Sequence, residues 1–325
     1  MDARAEMAAY IADRPHLKSR TLAAEIVEQF PALMLTLEQA RDRVRYYRGE
    51  HGEDGRRKRL NAGGIIPTTK YSAPEAAAPD FKPYDLPAVG KGLIIADLHM
   101  PYHDKAAVDT AINHAIKTGH TEHLIILGDL PDFYQLSFFN RNPKRFSLEM
   151  ETEAVTNFLA DMTKIFGCVI YKAGNHEQRL QSYIFRKAPE LAGVKSLELS
   201  RLLNLHELGV TFVNWCDPIY AGDNLTLVHG HEYGRSMFSP VNAARGLFLR
   251  ALACSVTAHY HRTSHHDEPD IRGTDISTWS IGCLCNLHPE YARLNKWNHG
   301  FMLMNFNGGD DWDVSNHRIV NGHVR

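Results

Sequence analysis

The feature that most constrains the fold is an alternation of short apolar runs with segments of helical pattern. The runs "KGLIIADLH" (residues 91–99) and "EHLIILGDL" (residues 122–130) are separated by "DKAAVDTAINHAIKTG", and "CVIYKAGNHE", "NLTLVHGHE" and "ACSVTAHYHR" follow. This β-α-β order is typical of α/β proteins, in which helices flank buried strands. In such sheets functional side chains gather beyond the carboxyl ends of the strands, so chemistry is expected there.

Each of these runs ends in Asp, Asn or His. The residues are Asp97 and His99 in D-x-H, Asp129 and Asp132 in G-D-x-x-D, Asn175 and His176 in G-N-H-E, His229 in "VHGH", and His259 and His261 in H-x-H. In an extended D-x-H or H-x-H, alternation would place both side chains on one side of the strand. Carboxylate and imidazole ligands without a thiolate suit Mn, Fe, Zn or Co. So many ligands exceed the needs of one ion and fit two ions that share a carboxylate.

Each cluster taken alone has a simpler structural explanation. A single D-x-H at a strand end is more often a turn carboxylate beside a hydrogen-bonded histidine. Clusters on five successive strand ends have no comparable explanation. We therefore interpret the set as a metal site.

This ordered set of motifs resembles that of the calcineurin-like metallophosphoesterase superfamily, from residue 92 to about residue 262. The resemblance implies an α/β fold of four layers, α-β-β-α, in which two mixed sheets pack face to face between helices. It also implies a metal-dependent phosphoester hydrolase. The later runs "WSIGCLCNL", "GFMLMNF" and "HRIVNGHV" predict strands of a second sheet that completes the sandwich.

The resemblance assigns roles to individual residues. One metal ion would take Asp97, His99, Asp129 and His261, and the other would take Asp129, Asn175, His229 and His259. His176 would be the catalytic histidine, and Asp132 would orient its imidazole. Ala258 stands where the family usually has glycine. In "HGHE" either His229 or His231 could be the ligand, and the family pattern favours His229.

Two divalent metal ions are the implied cofactors, with Mn expected and Fe, Zn, Co or Mg as alternatives. Such a pair binds phosphate oxygens and lowers the pKa of a water molecule, so that a hydroxide can attack in line. Glu177, the last residue of G-N-H-E, is expected to stabilise the loop rather than to act in catalysis.

The N-terminal region is predicted to be a small all-α module followed by a linker. Three apolar stripes predict three helices within residues 1–62, and Thr36 with Gln39 forms a capping-box pattern before the third helix. Repeated prolines in residues 63–90 predict an extended linker. The phosphoesterase domain would then occupy residues 91–325.

A tight connection before the third helix gives the module the pattern of a helix-turn-helix. This helix carries Arg41, Arg43, Arg45 and Arg48, and the basic tail "RRKRL" follows at residues 56–60. A basic helix with a basic tail is typical of binding to a DNA backbone. A small helical bundle with a solvated charged face explains the same residues equally well.

The motifs leave the substrate open. A module of this kind joined to a phosphoesterase resembles phage and prophage proteins, so the first hypothesis is a phosphodiesterase or nuclease directed to DNA. The second is a phosphatase or phosphodiesterase acting on nucleotides or other small phosphoesters. The third, from another class, is a DNA-binding or assembly protein with a vestigial metal site. Phe133 and Ala173 stand where protein phosphatases have arginine, which disfavours that branch.

The segment "FYQLSFFNRNPKRF" (residues 133–146) interleaves aromatic residues with cations. This pattern suits base stacking and phosphate binding. It also suits a hydrophobic helix end with solvated charges. Arg179, just past the G-N-H-E row, is a further candidate for substrate contact.

Composition and charge limit the partners and the compartment that the sequence predicts. The formal net charge of −2 excludes a bulk polycation, so affinity for DNA must come from a local patch. Five widely spread cysteines, an odd number, predict reduced thiols. The start lacks the pattern of a signal peptide, and no apolar run approaches the roughly 20 residues that span a bilayer. We expect a cytoplasmic protein, bacterial or phage-encoded, with no membrane partner; the oligomeric state is open.

Overall fold

The computed structural model of the protein describes residues 2–49, 72–78, 81–87, 89–139, 142, 145–234 and 241–325. The chain forms two compact units, residues 1–79 and residues 80–325. The division into a module at 1–62, a linker at 63–90 and a domain at 91–325 stays a prediction. Part of that linker and the basic tail at 56–60 lie outside the described residues.

The described part of the first unit is helical. Its helices are α1 (Ala3–Ala12), α2 (Ser19–Gln29) and α3 (Leu37–Tyr47), with a 3₁₀ turn at Pro31–Leu33. Met7, Leu22, Ile26 and Val44 are among the buried apolar side chains that form its core. All three predicted stripes therefore pack against one another.

Two polar contacts define the ends of helix α3. The capping box expected at Thr36 and Gln39 is present, because each side chain accepts from the other's backbone N–H, at 3.2 and 3.0 Å. Arg48 donates to the Arg14 carbonyl at 2.8 Å and to the Ser19 hydroxyl at 3.1 Å. Arg48 thus serves packing within the unit, and the exposed arginines of the candidate DNA-binding face are Arg41 and Arg43.

The second unit contains a mixed sheet of seven strands. Their order is β13 (His323–Val324), β12 (Asp311–Val320), β11 (His299–Gly308), β2 (Gly90–Ile95), β3 (His123–Leu127), β4 (Cys168–Lys172) and β5 (Thr211–Val213). Strands β2 to β5 run parallel, and β11 is antiparallel to β2. Helices α4 (Lys105–Thr118) and α5 (Leu148–Ile165) connect the parallel strands.

A second mixed sheet has six strands. Their order is β1 (Tyr84–Asp85), β6 (Ile219–Ala221), β7 (Leu225–Val228), β8 (Ser255–Thr257), β10 (Asp275–Ser280) and β9 (Ser264–Pro269). The remaining helices are α6 (Gln178–Lys187), α7 (Leu199–Leu202) and α8 (Ala243–Ala251). Strands β7, β8 and β10 are parallel to one another.

Successive side chains of the central strands face opposite sides of the sheet, and this alternation produces the layers. Leu93 and Ile95 of β2 pack into a core with side chains of α4 and α5, whereas Ile94 faces the other sheet and packs with Leu227 and Val256. Helix α8 covers the six-stranded sheet by packing on β8 and β10. The predicted four-layer α-β-β-α fold is therefore confirmed.

Two details differ from the sequence predictions. Tyr84–Asp85, in the predicted linker, forms edge strand β1, and the Leu86 N–H donates to the Tyr220 carbonyl at 2.8 Å. Strands β11 and β12 join the seven-stranded sheet, so the expectation that they belong to the second sheet is wrong. Strand pairing at this separation in sequence is set by tertiary packing rather than by local pattern.

None of the helices in the described ranges is long and apolar enough to cross a lipid bilayer.

Candidate metal centre

The carboxyl ends of strands from both sheets meet at one place. The loops after β2, β3 and β4 supply Asp97, His99, Asp129, Asp132, Asn175 and His176, and those after β7 and β8 supply His229, His259 and His261. Parallel strands present their carboxyl ends at one edge of a sheet. Because the two sheets pack face to face, their edges adjoin, and all the predicted site residues come together.

The backbone of these loops is unusual. Asp97, His99, Asp129, His259 and His261 all have positive φ, between 49° and 66°. This left-handed region costs roughly 1–2 kcal/mol for a residue with a side chain. The expectation of an extended D-x-H and H-x-H is therefore wrong, and left-handed turns aim these side chains instead.

Two glycines allow the loops to approach closely. A Cβ atom at Gly128, where φ is 90°, would overlap the His229 ring, and one at Gly174 would overlap the Asp129 carboxylate. Any larger residue would push the ligand-bearing loops apart. The glycines of G-D-x-x-D and G-N-H-E thus allow the ligand-bearing loops to pack closely.

One group of side chains surrounds the His99 imidazole. Its Nε2 lies 3.3 Å from His261 Nε2, 3.9 Å from Asp97 Oδ1 and 3.8 Å from Asp129 Oδ2. Asp97 Oδ1 is 3.3 Å from His261 Nε2, and Asp97 Oδ2 accepts from the His259 N–H at 3.0 Å. Asp97, His99, Asp129 and His261 are the four residues that the family pattern assigns to one ion.

A second group surrounds His229. Its Nε2 lies 3.4 Å from Asp129 Oδ2 and 3.2 Å from Asn175 Oδ1, and its ring centroid is 5.1 Å from that of His259. Its Nδ1 donates to the Leu127 carbonyl at 2.7 Å, which orients the ring and leaves Nε2 for a metal ion. His231 does not belong to this group, and burial lowers its pKa to about 4.

The chemistry of these atoms fits divalent cations. Asp97 Oδ1 is buried without a hydrogen-bond partner among the described residues, and ring nitrogens and carboxylate oxygens point at one another. Burial opposes ionisation of Asp129, yet the His176 and His229 imidazoles hold its pKa well below the ordinary value. Carboxylate, imidazole and amide ligands suit Mn, Fe, Zn or Co. The arrangement fits two ions, with Asp129 contacting both groups.

His176 lies beside this cluster. Its Nδ1 is 2.9 Å from the Asp132 carbonyl and 3.1 Å from Asp132 Oδ1, and a carbonyl can only accept, so Nδ1 carries a proton. Asp132 Oδ1 is also 3.2 Å from His99 Nδ1. Arg179 donates to the Asp132 carbonyl at 2.7 Å and lies 2.8 Å from His176 Nε2. The arginine therefore places a positive charge next to the histidine.

Glu177 stabilises the loops of the seven-stranded sheet. Its buried carboxylate accepts from the backbone N–H groups of Gly174, Asp129 and Leu130, at 2.7, 3.2 and 2.9 Å. The Tyr171 hydroxyl donates to it at 2.7 Å. Burial and the Asp129 carboxylate raise the pKa of Glu177, and the four donors counter that effect.

An ion pair between a buried lysine and a half-buried glutamate stabilises the loop of the six-stranded sheet, and sequence reasoning missed it. Lys172 Nζ lies 3.0 Å from Glu232 Oε1 and donates to three backbone carbonyls. Glu232 accepts from the N–H groups of His229 and Gly230. Burial alone would raise the pKa of Glu232, but Lys172 and His231 lower it to about 2. A lysine ending an otherwise apolar strand was the available signal.

Cys285 also adjoins the centre, although the sequence offered only a weak C-x-C signal. Its buried Sγ lies 3.8 Å from His261 Nδ1, on the side of the ring that faces away from Asp97. The thiol therefore contacts a candidate ligand.

Comparison with known families agrees with this geometry. A family model described as calcineurin-like phosphoesterase matches residues 91–277, which contain all the site residues predicted from the sequence. No curated protein matches the chain.

Proposed function

Because this chain belongs to the calcineurin-like phosphoesterase family, whose members are metal-dependent phosphoester hydrolases, we propose that it is a phosphodiesterase or nuclease acting on DNA. The observation that carries this proposal is a groove of about 900 Å³ that includes His99, Asp132 and His176 and extends past them. A monoester has a substituent on one side of its phosphorus only. A diester has two, and a groove that continues beyond the centre accommodates the second.

The proposed ligands are the seven residues named above. Asp97, His99, Asp129 and His261 would hold one ion, and Asp129, Asn175, His229 and His259 the other. Bound divalent ions would supply Lewis acidity to the phosphate oxygens and to a water molecule. The Leu127 carbonyl and the Asp97 carboxylate fix the loops that carry His229 and His259. The chain thereby preorganises the site before substrate arrives.

We propose that His176 acts on the phosphoester, with Asp132 and Arg179 as its partners. Asp132 accepts from Nδ1 and fixes the orientation of the imidazole, while Nε2 faces Arg179. Burial opposes ionisation of Asp132, but hydrogen bonds from His176 and His99 lower its pKa, so it stays a carboxylate. Nε2 accepts from Arg179, so the guanidinium would have to turn to a phosphate oxygen before Nε2 could contact the phosphoester.

The first unit would deliver the enzyme to DNA. The candidate surface is helix α3, where Arg41 and Arg43 are exposed. Arg41 lies 3.7 Å from Glu38, an exposed pair that phosphate can replace. Deletion of residues 1–65 should lower DNA affinity and reduce the slope of log K against log salt. An unchanged slope would reject this role.

Four substrates with Mn test the reaction itself. We expect hydrolysis of bis-p-nitrophenyl phosphate, of single-stranded DNA and of duplex DNA, and slow hydrolysis of p-nitrophenyl phosphate. Turnover of the monoester alone would reject the diesterase and favour a phosphatase on small phosphoesters. Bound Mn without turnover of any substrate would favour a DNA-binding protein with a vestigial site.

A further inference from the structure

The groove beside the metal centre has two walls of different character. One wall carries Tyr102 and Tyr134, whose ring centroids lie 6.2 Å apart. The Arg145 guanidinium lies 5.7 Å from the first centroid and 5.3 Å from the second, and it pairs with Glu290 of the other wall. Arg145 therefore contacts both rings, and the side chains of this wall are held by contacts within the protein.

The opposite wall presents Tyr291. Its side chain lines the groove, and the residue is 69% exposed. One edge of the ring contacts Trp297 at a centroid distance of 6.3 Å, and Trp297 lies 4.1 Å from the His261 ring. The exposed Tyr291 ring thus adjoins a candidate ligand through Trp297 and has surface left to contact a ligand in the groove. This combination suits stacking with a planar ligand.

The charges of the groove suit a phosphate backbone. Arg145 is paired with Glu290, and Arg179 and Arg293 line the groove as further cations, against the carboxylate of Asp132. The volume lies at the upper end of the roughly 300–1,000 Å³ range of ligand pockets, so more than a phosphate group is accommodated.

We propose, on the premise of the phosphodiesterase function above, that the groove is a subsite for an unpaired deoxynucleotide. The base stacks on the face of Tyr291, and the adjoining phosphate lies at the metal centre. The contacts of Trp297 with His261 and with Tyr291 connect the stacking ring to the metal centre, where the reacting phosphate would lie. Tyr291 is thus a specificity-determining residue that selects diesters bearing a nucleoside.

The same geometry selects unpaired DNA. In a duplex both faces of a base are covered by its neighbours, and its edge is paired with the other strand. A base offers a face to a tyrosine only when it is unpaired or flipped out of the stack. The subsite therefore favours a single strand, an end or a gap over intact duplex.

Two diesters with the same leaving group test the subsite. We would compare kcat/KM for thymidine 5′-(p-nitrophenyl phosphate) and for methyl p-nitrophenyl phosphate, using the full chain with Mn. The first should be preferred by about tenfold, since stacking on an aromatic ring contributes that order of effect. In Tyr291→Leu this ratio should fall several-fold. A wild-type ratio near one, or an unchanged ratio in the variant, would overturn the proposal.

Phe185→Leu is the matched control. Phe185 is 57% exposed and lines a separate cavity of about 560 Å³, so losing its ring should leave the ratio unchanged. A fall equal to that of Tyr291→Leu would show a general surface effect and overturn the assignment. A labelled single strand should also be cleaved at least tenfold faster than its duplex. Equal rates would reject the selection of unpaired DNA.

Failure of the diesterase function can be told apart from failure of the subsite. If only p-nitrophenyl phosphate is hydrolysed, the diesterase function is wrong. Inhibition of that reaction by thymidine 5′-monophosphate and by 2-deoxyribose 5-phosphate then decides the subsite. Stronger inhibition by the nucleotide, lost in Tyr291→Leu, would support it, and equal inhibition would overturn it.

Discussion

Glu177 and Glu232 do similar work in the two sheets, since each accepts backbone N–H groups of a loop that carries candidate metal ligands. They differ in how their charge is compensated. Glu232 pairs with the buried ammonium of Lys172, whereas Glu177 has four neutral donors. The charge of a carboxylate that stabilises a loop can thus be compensated either by a buried cation or by several neutral hydrogen-bond donors.

A third buried glutamate has neither form of compensation. Glu151 of α5 accepts from the Tyr134 N–H at 3.2 Å, and its Oε2 has no hydrogen-bond partner within the described residues. Burial, with a contribution from the Asp132 carboxylate, raises its pKa to about 8. The three glutamates form a series of decreasing compensation, and substitutions in each should differ accordingly.

The largest effect is expected at Asp129, the residue that contacts both groups of candidate ligands. Asp129→Ala should remove bound Mn and lower kcat/KM about 10³-fold or more, because several kcal/mol of Lewis-acid stabilisation are lost. His176→Ala is the matched control, which should keep Mn while losing most turnover. Metal analysis by mass spectrometry and steady-state kinetics test both. Equal Mn loss in the two variants would contradict the separate roles.

The next largest effect is expected when the ion pair between Lys172 and Glu232 is broken. Lys172→Met leaves the Glu232 carboxylate buried without its cation and should cost about 3–5 kcal/mol of unfolding free energy. The double variant with Glu232→Gln should recover part of this loss, because no unpaired charge remains. Urea denaturation at pH 7 measures both. Additive losses in the double variant would show that the pair contributes no coupling.

Glu177→Gln should have a smaller effect than Lys172→Met. The amide keeps one acceptor oxygen but turns an NH₂ group toward backbone donors, so we expect a loss of about 1–3 kcal/mol. Because the loops position Asp129 and Asn175, Mn affinity should fall roughly 10–100-fold. Calorimetric titration with Mn measures the second effect. A stability loss larger than that of Lys172→Met would reverse the comparison.

Glu151→Gln should change stability in the opposite direction. The folded-state pKa of about 8 exceeds the ordinary value of 4.5, so wild-type stability should be full below pH 4.5 and fall as pH rises toward 8. The amide does not ionise, so the variant should lack this fall and be roughly 1–3 kcal/mol more stable at pH 8. Urea denaturation at pH 5 and pH 8 tests it. A fall of equal size in both proteins would assign it to another group.

The clusters at the strand ends could be predicted because local features mark them. Apolar runs such as "LIIL" before Gly128 identify buried strands, and the polar residues that follow are visible in the sequence. The fold class follows from the same alternation. The division of His259 and His261 between two ions came from family resemblance and stays a prediction.

Other features depend on contacts between distant residues. Lys172 and Glu232 are far apart in sequence, and nothing local indicates that they pair. The placement of β11 beside β2 likewise depends on tertiary packing. The left-handed backbone at Asp97 and His99 could not be predicted, because such conformations are rare for residues with side chains.

That left-handed backbone sets two kinds of selection against each other. Glycine at His259 would relieve roughly 1 kcal/mol of backbone strain and keep the N–H that Asp97 accepts, while deleting a candidate ligand. Laboratory evolution for heat resistance alone should therefore favour glycine at this position and discard the ligand. Only continued demand for turnover would retain the histidine there.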